Sequence, residues 1–224
     1  MFLGHFALGL AAKRVAPAVS LGTLFLAAQF ADLLWPNLLL LGVERVAIRP
    51  GATAVTPLDF ISYPYSHSLL ALMLWGSLFG IAYWLARRSP FAAVTVGAVV
   101  VSHWVLDWIA HRPDLPLTFT GDVRVGLGLW RSLPATVAVE LALLAVGSTV
   151  YARITRPRDA VGKWGFAGVI LLLLAIQLGA VFGPPPTSIA AVAWSAQAVW
   201  LLVLLGCWVD RHRYATVALP RASA

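Results

Sequence analysis

Long apolar stretches separated by short polar or proline-rich breaks run along almost the whole chain, and their lengths predict an all-α, polytopic membrane helix bundle. Six stretches, about residues 18–41, 67–86, 91–110, 131–151, 164–182 and 189–209, reach the about 20 residues that a helix needs to cross a bilayer. The first is interrupted by Asp32 and Pro36. Residues 2–13 are as apolar but too short to span, which predicts an N-terminal half-helix, re-entrant or interfacial, ending before Pro17. Turn formers and charges at residues 42–66 and 111–130 predict loops. The whole of 1–224 reads as a single transmembrane domain: a motif-bearing part over 1–151, packing helices over 164–209 and a polar tail over 210–224.

Composition agrees with the pattern. Of 224 residues, 60% are hydrophobic and only 11% charged, against about a quarter charged in a soluble domain. The net charge of +7 does not point to nucleic acid, because the basic residues flank apolar spans and form no stripe interleaved with exposed aromatics. Eleven of the sixteen fall on one side (Lys13, Arg14, Arg87, Arg88, Arg153, Arg156, Arg158, Lys163, Arg211, Arg213 and Arg221), which predicts cytoplasmic flanks for both termini. Lys13 and Arg14 follow the first apolar residues instead of preceding them, so no cleaved signal peptide is expected. Cys207 is the sole cysteine and excludes an intrachain disulfide. Gly76 and Gly80 form a GxxxG step that permits close helix contact.

The candidate chemistry lies in the few polar residues at membrane depth. The densest stretch, Ser102-His103-Trp104-Val105-Leu106-Asp107-Trp108-Ile109-Ala110-His111-Arg112-Pro113-Asp114, places His103, Asp107 and His111 on one helix face at i, i+4 and i+8. Imidazole nitrogen and carboxylate oxygen are the donors that zinc and related divalent ions take. A competing reading makes these residues interfacial groups at a helix end, with Trp104 and Trp108 in an aromatic belt.

A charge at membrane depth costs at least ~2.5 to 3.5 kcal/mol, so Asp32 and Glu140 call for partners inside the bundle. Counting about 1.5 Å per residue from the basic ends, His5, Glu140, His103, Asp32, Asp107 and His67 stand roughly 13, 16, 18, 21, 24 and 28 Å up their helices. They share the central to outer part of the membrane. Other readings stay open: His67 caps the second span beside Ser66 and Ser68, Glu140 pairs with Arg131, and His111 and Asp114 are surface groups, outer supports or an extra ligand.

Four short motifs, Gly4-His5, Ala31-Asp32-Leu33-Leu34-Trp35-Pro36, Tyr65-Ser66-His67-Ser68-Leu69-Leu70 and Ser102-His103-Trp104-Val105-Leu106-Asp107, resemble those of small bacterial inner-membrane proteins known as membrane-bound metal-dependent hydrolases. The resemblance covers residues 4 to about 117. Leu34 and Ser62 stand where that family commonly has a further acid and a further histidine. The resemblance implies a multi-pass protein of the bacterial inner (cytoplasmic) membrane.

Combined with the residue chemistry, it gives a metal set of His5, Asp32, His67, His103 and Asp107 holding one or two divalent ions, zinc first. Glu140 or Asp32 would accept the proton of the attacking water. Arg112, Arg124 and Arg131 would hold an anionic head group of a lipid or lipid-linked phosphoester. The lipid bilayer is the expected partner. A transporter relaying protons or metal ions through the same side chains is the alternative, and a structural protein with a metal staple is a third.

Overall fold

The computed structural model describes residues 1–216. The chain opens with α1 (Phe2–Ala12), continues through α2 (Leu21–Ala28) and α3 (Phe30–Leu40), and crosses a hairpin of β1 (Arg45–Ile48) and β2 (Leu58–Ser62). A single turn, α4 (Pro64–His67), leads into the long helices α5 (Leu69–Arg87) and α6 (Pro90–Ala110). A loop with the short pair β3 (Leu115–Pro116) and β4 (Arg124–Val125) and a 3-10 turn (Leu129–Arg131) precedes α7 (Leu133–Ile154). Then come β5 (Thr155–Pro157), α8 (Ala160–Phe182), α9 (Ile189–Ala196), α10 (Val199–Arg211) and β6 (Arg213–Ala215).

The architecture is the expected all-α bundle. Among the described residues, five helical stretches are long and apolar enough to cross a membrane: α5, α6, α7, α8, and α9 with α10 taken together as Ile189–Arg211. A sixth is the pair α2 and α3, bent by 53°. Only 17% of the α5 window and 11% of the α8 window is buried. Leu74, Leu78, Ile81, Leu85, Leu171 and Leu201 face outward, a surface too apolar for water and suited to lipid. The protein is therefore a multi-pass membrane protein.

Capping chemistry sets where helices begin. Ser20, Ser68, Ser132 and Ser188 each accept a backbone N–H from three residues on, and Asp159 does the same for Gly162. The third of the apolar stretches starts at Pro90, whose fixed φ and missing N–H suit the first turn. Lys163, read from sequence as linker, lies inside α8 because Asp159 starts that helix earlier.

The bend in the first span falls at Gln29 and not at Pro36, which is accommodated inside α3. Gln29 (φ −104°, ψ 8°) ends α2 and lets α3 restart in the core, with Asp32 in its first turn where the helix dipole favours a carboxylate. α1 is the expected half-helix, and it is buried inside the bundle against α2, α6 and α7. Gly147 makes that contact possible: any Cβ there would collide with the Ala7 carbonyl. The GxxxG step is used within the chain, since a Cβ on Gly76 would lie 2.7 Å from the Gly97 oxygen of α6.

Opposite ends of the bundle carry different chemistry. One end holds both polar loops and the β1–β2 hairpin; the other holds Lys13, the α5–α6 turn, and β5 paired antiparallel with β6. Residues 210–215, expected as tail, are part of the fold. Asp210 pairs with Lys13 at 2.7 Å and accepts from the Tyr151 hydroxyl at 3.0 Å, and the Arg213 guanidinium lies over Tyr151 and Phe166. Residues 217–224, with Arg221, lie outside the described residues.

Candidate metal centre

α6 forms the wall of the site. Its period places His103 and Asp107 one turn apart on the buried face, with His103 Nε2 at 3.1 Å from Asp107 Oδ2. α1 brings His5 against the same carboxylate, Nε2 to Oδ1 at 3.1 Å, and its ring stacks on His103 with centroids 3.7 Å apart. The Met1 amino group lies 2.6 Å from Asp107 Oδ1. α4 supplies His67, whose Nε2 is 3.4 Å from Asp32 Oδ1 and 3.8 Å from Asp107 Oδ2. α3 supplies Asp32, also 3.9 Å from His103 Nε2.

The five residues thus form two overlapping donor sets, His5–His103–Asp107 and Asp32–His67–His103, with the donor atoms of each set within 4.8 Å of one another. Donors bound at about 2.0–2.1 Å to a tetrahedral ion stand about 3.3 Å apart, inside the 3.1–3.9 Å spread seen here. Four of the five are buried, and Asp32, with a side chain 33% exposed, is the one that reaches the outside.

The outer partners fix which nitrogen faces inward. A carbonyl can only accept, so His103 Nδ1 donates to Ala28 O (2.8 Å), and in the neutral ring Nε2 then keeps its lone pair. The Ser66 hydroxyl donates to Glu44 Oε2 (2.6 Å) and accepts from His67 Nδ1 (2.7 Å), with the same result. Glu44 is anchored in turn by the N–H groups of Tyr65 and Ser66. Imidazoles oriented through their second nitrogen by a carbonyl or carboxylate are the usual arrangement of metal ligands. His103 Nε2 itself is buried without a hydrogen-bond partner among the described residues, despite its closeness to Asp107. A cation would satisfy it, so the donor chemistry fits a divalent metal.

The remaining sequence candidates separate into three groups. His111 and Asp114 border the centre: His111 Nε2 is 3.9 Å from Asp107 Oδ2, and its Nδ1 donates to Asp114 Oδ1 at 2.9 Å. Asp114 also accepts from Tyr63 (3.3 Å) and Arg112 (2.9 Å). Burial and the neighbouring Asp114 carboxylate push the Tyr63 phenol well above its ordinary pKa. Phe60 of β2 closes the loop side, its ring against Trp35, Tyr63 and His111.

Glu140 stands outside both donor sets. Its carboxylate accepts the Leu3 N–H at 2.5 Å, capping the start of α1, so its partner is that helix and not Arg131.

The three arginines are dispersed. Arg112 is engaged by Asp59 and Asp114, Arg124 donates to the carbonyls of Ile61 and Gly121, and Arg131 is exposed at the 3-10 turn. Neither does His67 cap α5, a task that falls to Ser68.

Sequence reasoning missed the Glu44–Ser66 support and the Ala28 carbonyl. Glu44 reads as an ordinary loop acid, and no side-chain signal marks a carbonyl freed at a helix break. No protein-family model, no curated protein and no solved structure matches the chain.

Proposed function

We propose that the protein is a membrane-embedded, metal-dependent hydrolase acting on a lipid or lipid-linked phosphoester. The observation that carries this reading is the convergence of His5, Asp32, His67, His103 and Asp107 from four helices, with the inward nitrogens of His67 and His103 held as lone-pair donors. The motif resemblance supports it. Zinc is the ion of choice for a histidine-rich set, as one or two ions. The bilayer is that of a bacterial inner membrane, with the Lys13 and β5–β6 end cytoplasmic because most basic residues gather there.

His5, Asp32, His67, His103 and Asp107 would hold the ion, which would supply Lewis acidity toward a phosphoryl oxygen and a lowered pKa for water. The chain's own residues do the rest. Asp107, held between His5 and His103, fixes the inner wall. Asp32, the half-buried acid, is placed to accept a proton from entering water at its carboxylate, whereas Glu140, which caps α1, stands outside both donor sets. Apolar helices around the site favour a substrate with a hydrocarbon part.

The test is incubation of the purified, zinc-loaded protein with total bacterial membrane lipid, followed by mass spectrometry. Release of a head group or phosphate, absent in Asp32→Asn, supports hydrolysis; an unchanged lipid profile contradicts it. One observation favours a second reading, metal-ion transport: the α2–α3 break lies at the cluster, as discontinuous helices do at transporter ion sites. Zinc uptake by proteoliposomes would support that reading instead.

A further inference from the structure

Two buried polar side chains beside Asp32 have no role in the donor sets. Gln29, at the α2–α3 break, is 0% exposed, and neither atom of its amide has a hydrogen-bond partner among the described residues. Trp35, 6% exposed, has an indole N–H equally without an acceptor. Buried polar groups are almost always paired, and these two flank one residue, Asp32, from three positions on either side. Both neighbourhoods touch the centre directly: the Ala28 carbonyl next to Gln29 holds His103, and the Trp35 indole meets the His67 ring edge to face at 6.4 Å.

We propose that Gln29 and Trp35 form a phosphoryl-oxygen subsite on either side of Asp32, the one partly accessible residue of the cluster. The inference rests on the hydrolase reading and names the group recognised. Trp35 offers one donor, and Gln29 offers two donors and an acceptor. A carboxylate cannot donate to the Gln29 oxygen, whereas a protonated phosphate oxygen can, and its other oxygens accept.

Recognition is of the phosphoryl group, whether carried by a lipid or free, and two probes distinguish these sources: inorganic phosphate and dioctanoyl phosphatidic acid. Binding of each to the zinc-loaded, detergent-solubilised protein is measured by calorimetry, alongside zinc content by elemental analysis. The expected result is binding of at least one probe by the native protein. Trp35→Phe and Gln29→Met should each weaken it about tenfold or more with zinc content unchanged, since hydrogen bonds to a charged group are lost. Binding of phosphatidic acid alone assigns the subsite to a lipid head group, and binding of both assigns it to the phosphoryl group in either form. Should Trp35→Phe fail to retain zinc, Gln29→Met decides. Native affinity in a zinc-retaining variant, or no binding of either probe to the zinc-loaded native protein, overturns the subsite and leaves the metal centre standing. Failure of the native protein to bind zinc overturns the metal reading itself.

Discussion

His5 and His103 lie ring on ring, 3.7 Å apart and within 4° of parallel, although one belongs to the half-helix α1 and the other to α6. Each points Nε2 at a different oxygen of Asp107, both at 3.1 Å. Asp107 is thus the common anchor of two imidazoles, while Asp32 contacts the set from its exposed edge. Asp107→Asn should therefore lower zinc affinity more than Asp32→Asn, read by chelator competition on the solubilised proteins. Equal losses would mean that the buried carboxylate has no special place.

The Glu44–Ser66–His67 relay turns the His67 ring from outside both donor sets. Ser66→Ala and Glu44→Gln are expected to weaken metal binding by about 10- to 100-fold, the usual effect of removing such a support. The same chelator competition checks it. The buried Glu44 also ties down the N–H groups of Tyr65 and Ser66, so Ser66→Ala is the cleaner variant.

Tyr63 carries a pH prediction outside the membrane spans. Burial and the Asp114 carboxylate raise its pKa, so the folded protein holds the phenol proton more tightly than the unfolded chain. The stability contributed is fully present below the unfolded value of 10.0 and is lost as pH rises through the folded one. In an absorbance titration, Tyr63→Phe should lose no amplitude near pH 10 relative to the native protein. Loss of one phenol's worth of signal there would place Tyr63 in an ordinary environment.

Gly147 sets how closely α1 lies on α7, with the Ala7 carbonyl against it. Gly147→Val forces the half-helix outward, at a cost of about 1–3 kcal/mol of overpacking, and moves His5 with it. Reduced zinc content together with a lowered unfolding temperature is the expected pair of results. A stability loss with native zinc content would show that α1 shifts without carrying His5 away.

The spans and the clustering of polar side chains were legible because membrane helices announce themselves by length, and because ionisable side chains at that depth must find each other. Depth alone collected His5, Asp32, His67, His103, Asp107 and Glu140 from distant segments, and only the motif resemblance separated the first five as a set. Glu140 satisfies the same depth rule yet serves a backbone N–H, a partner with no sequence signature. Pro36 drew the expected interruption away from Gln29, where a non-helical φ/ψ pair, set by tertiary packing, makes the bend. The β1–β2 hairpin was read only as a loop, since the nine residues of turn formers and prolines between its strands hide two short strands. The arginines could be placed on one side but not on one spot: Arg112 is drawn into the Asp59 and Asp114 network by carboxylates that fold onto it.

Zinc content of the purified protein, measured by elemental analysis beside His103→Ala, is the most direct test of the shared centre. One or two zinc ions per chain in the native protein, lost in a variant that still inserts in the membrane, is the expected result. Equal zinc in both, or none in either after zinc loading, would contradict a metal site built on His103.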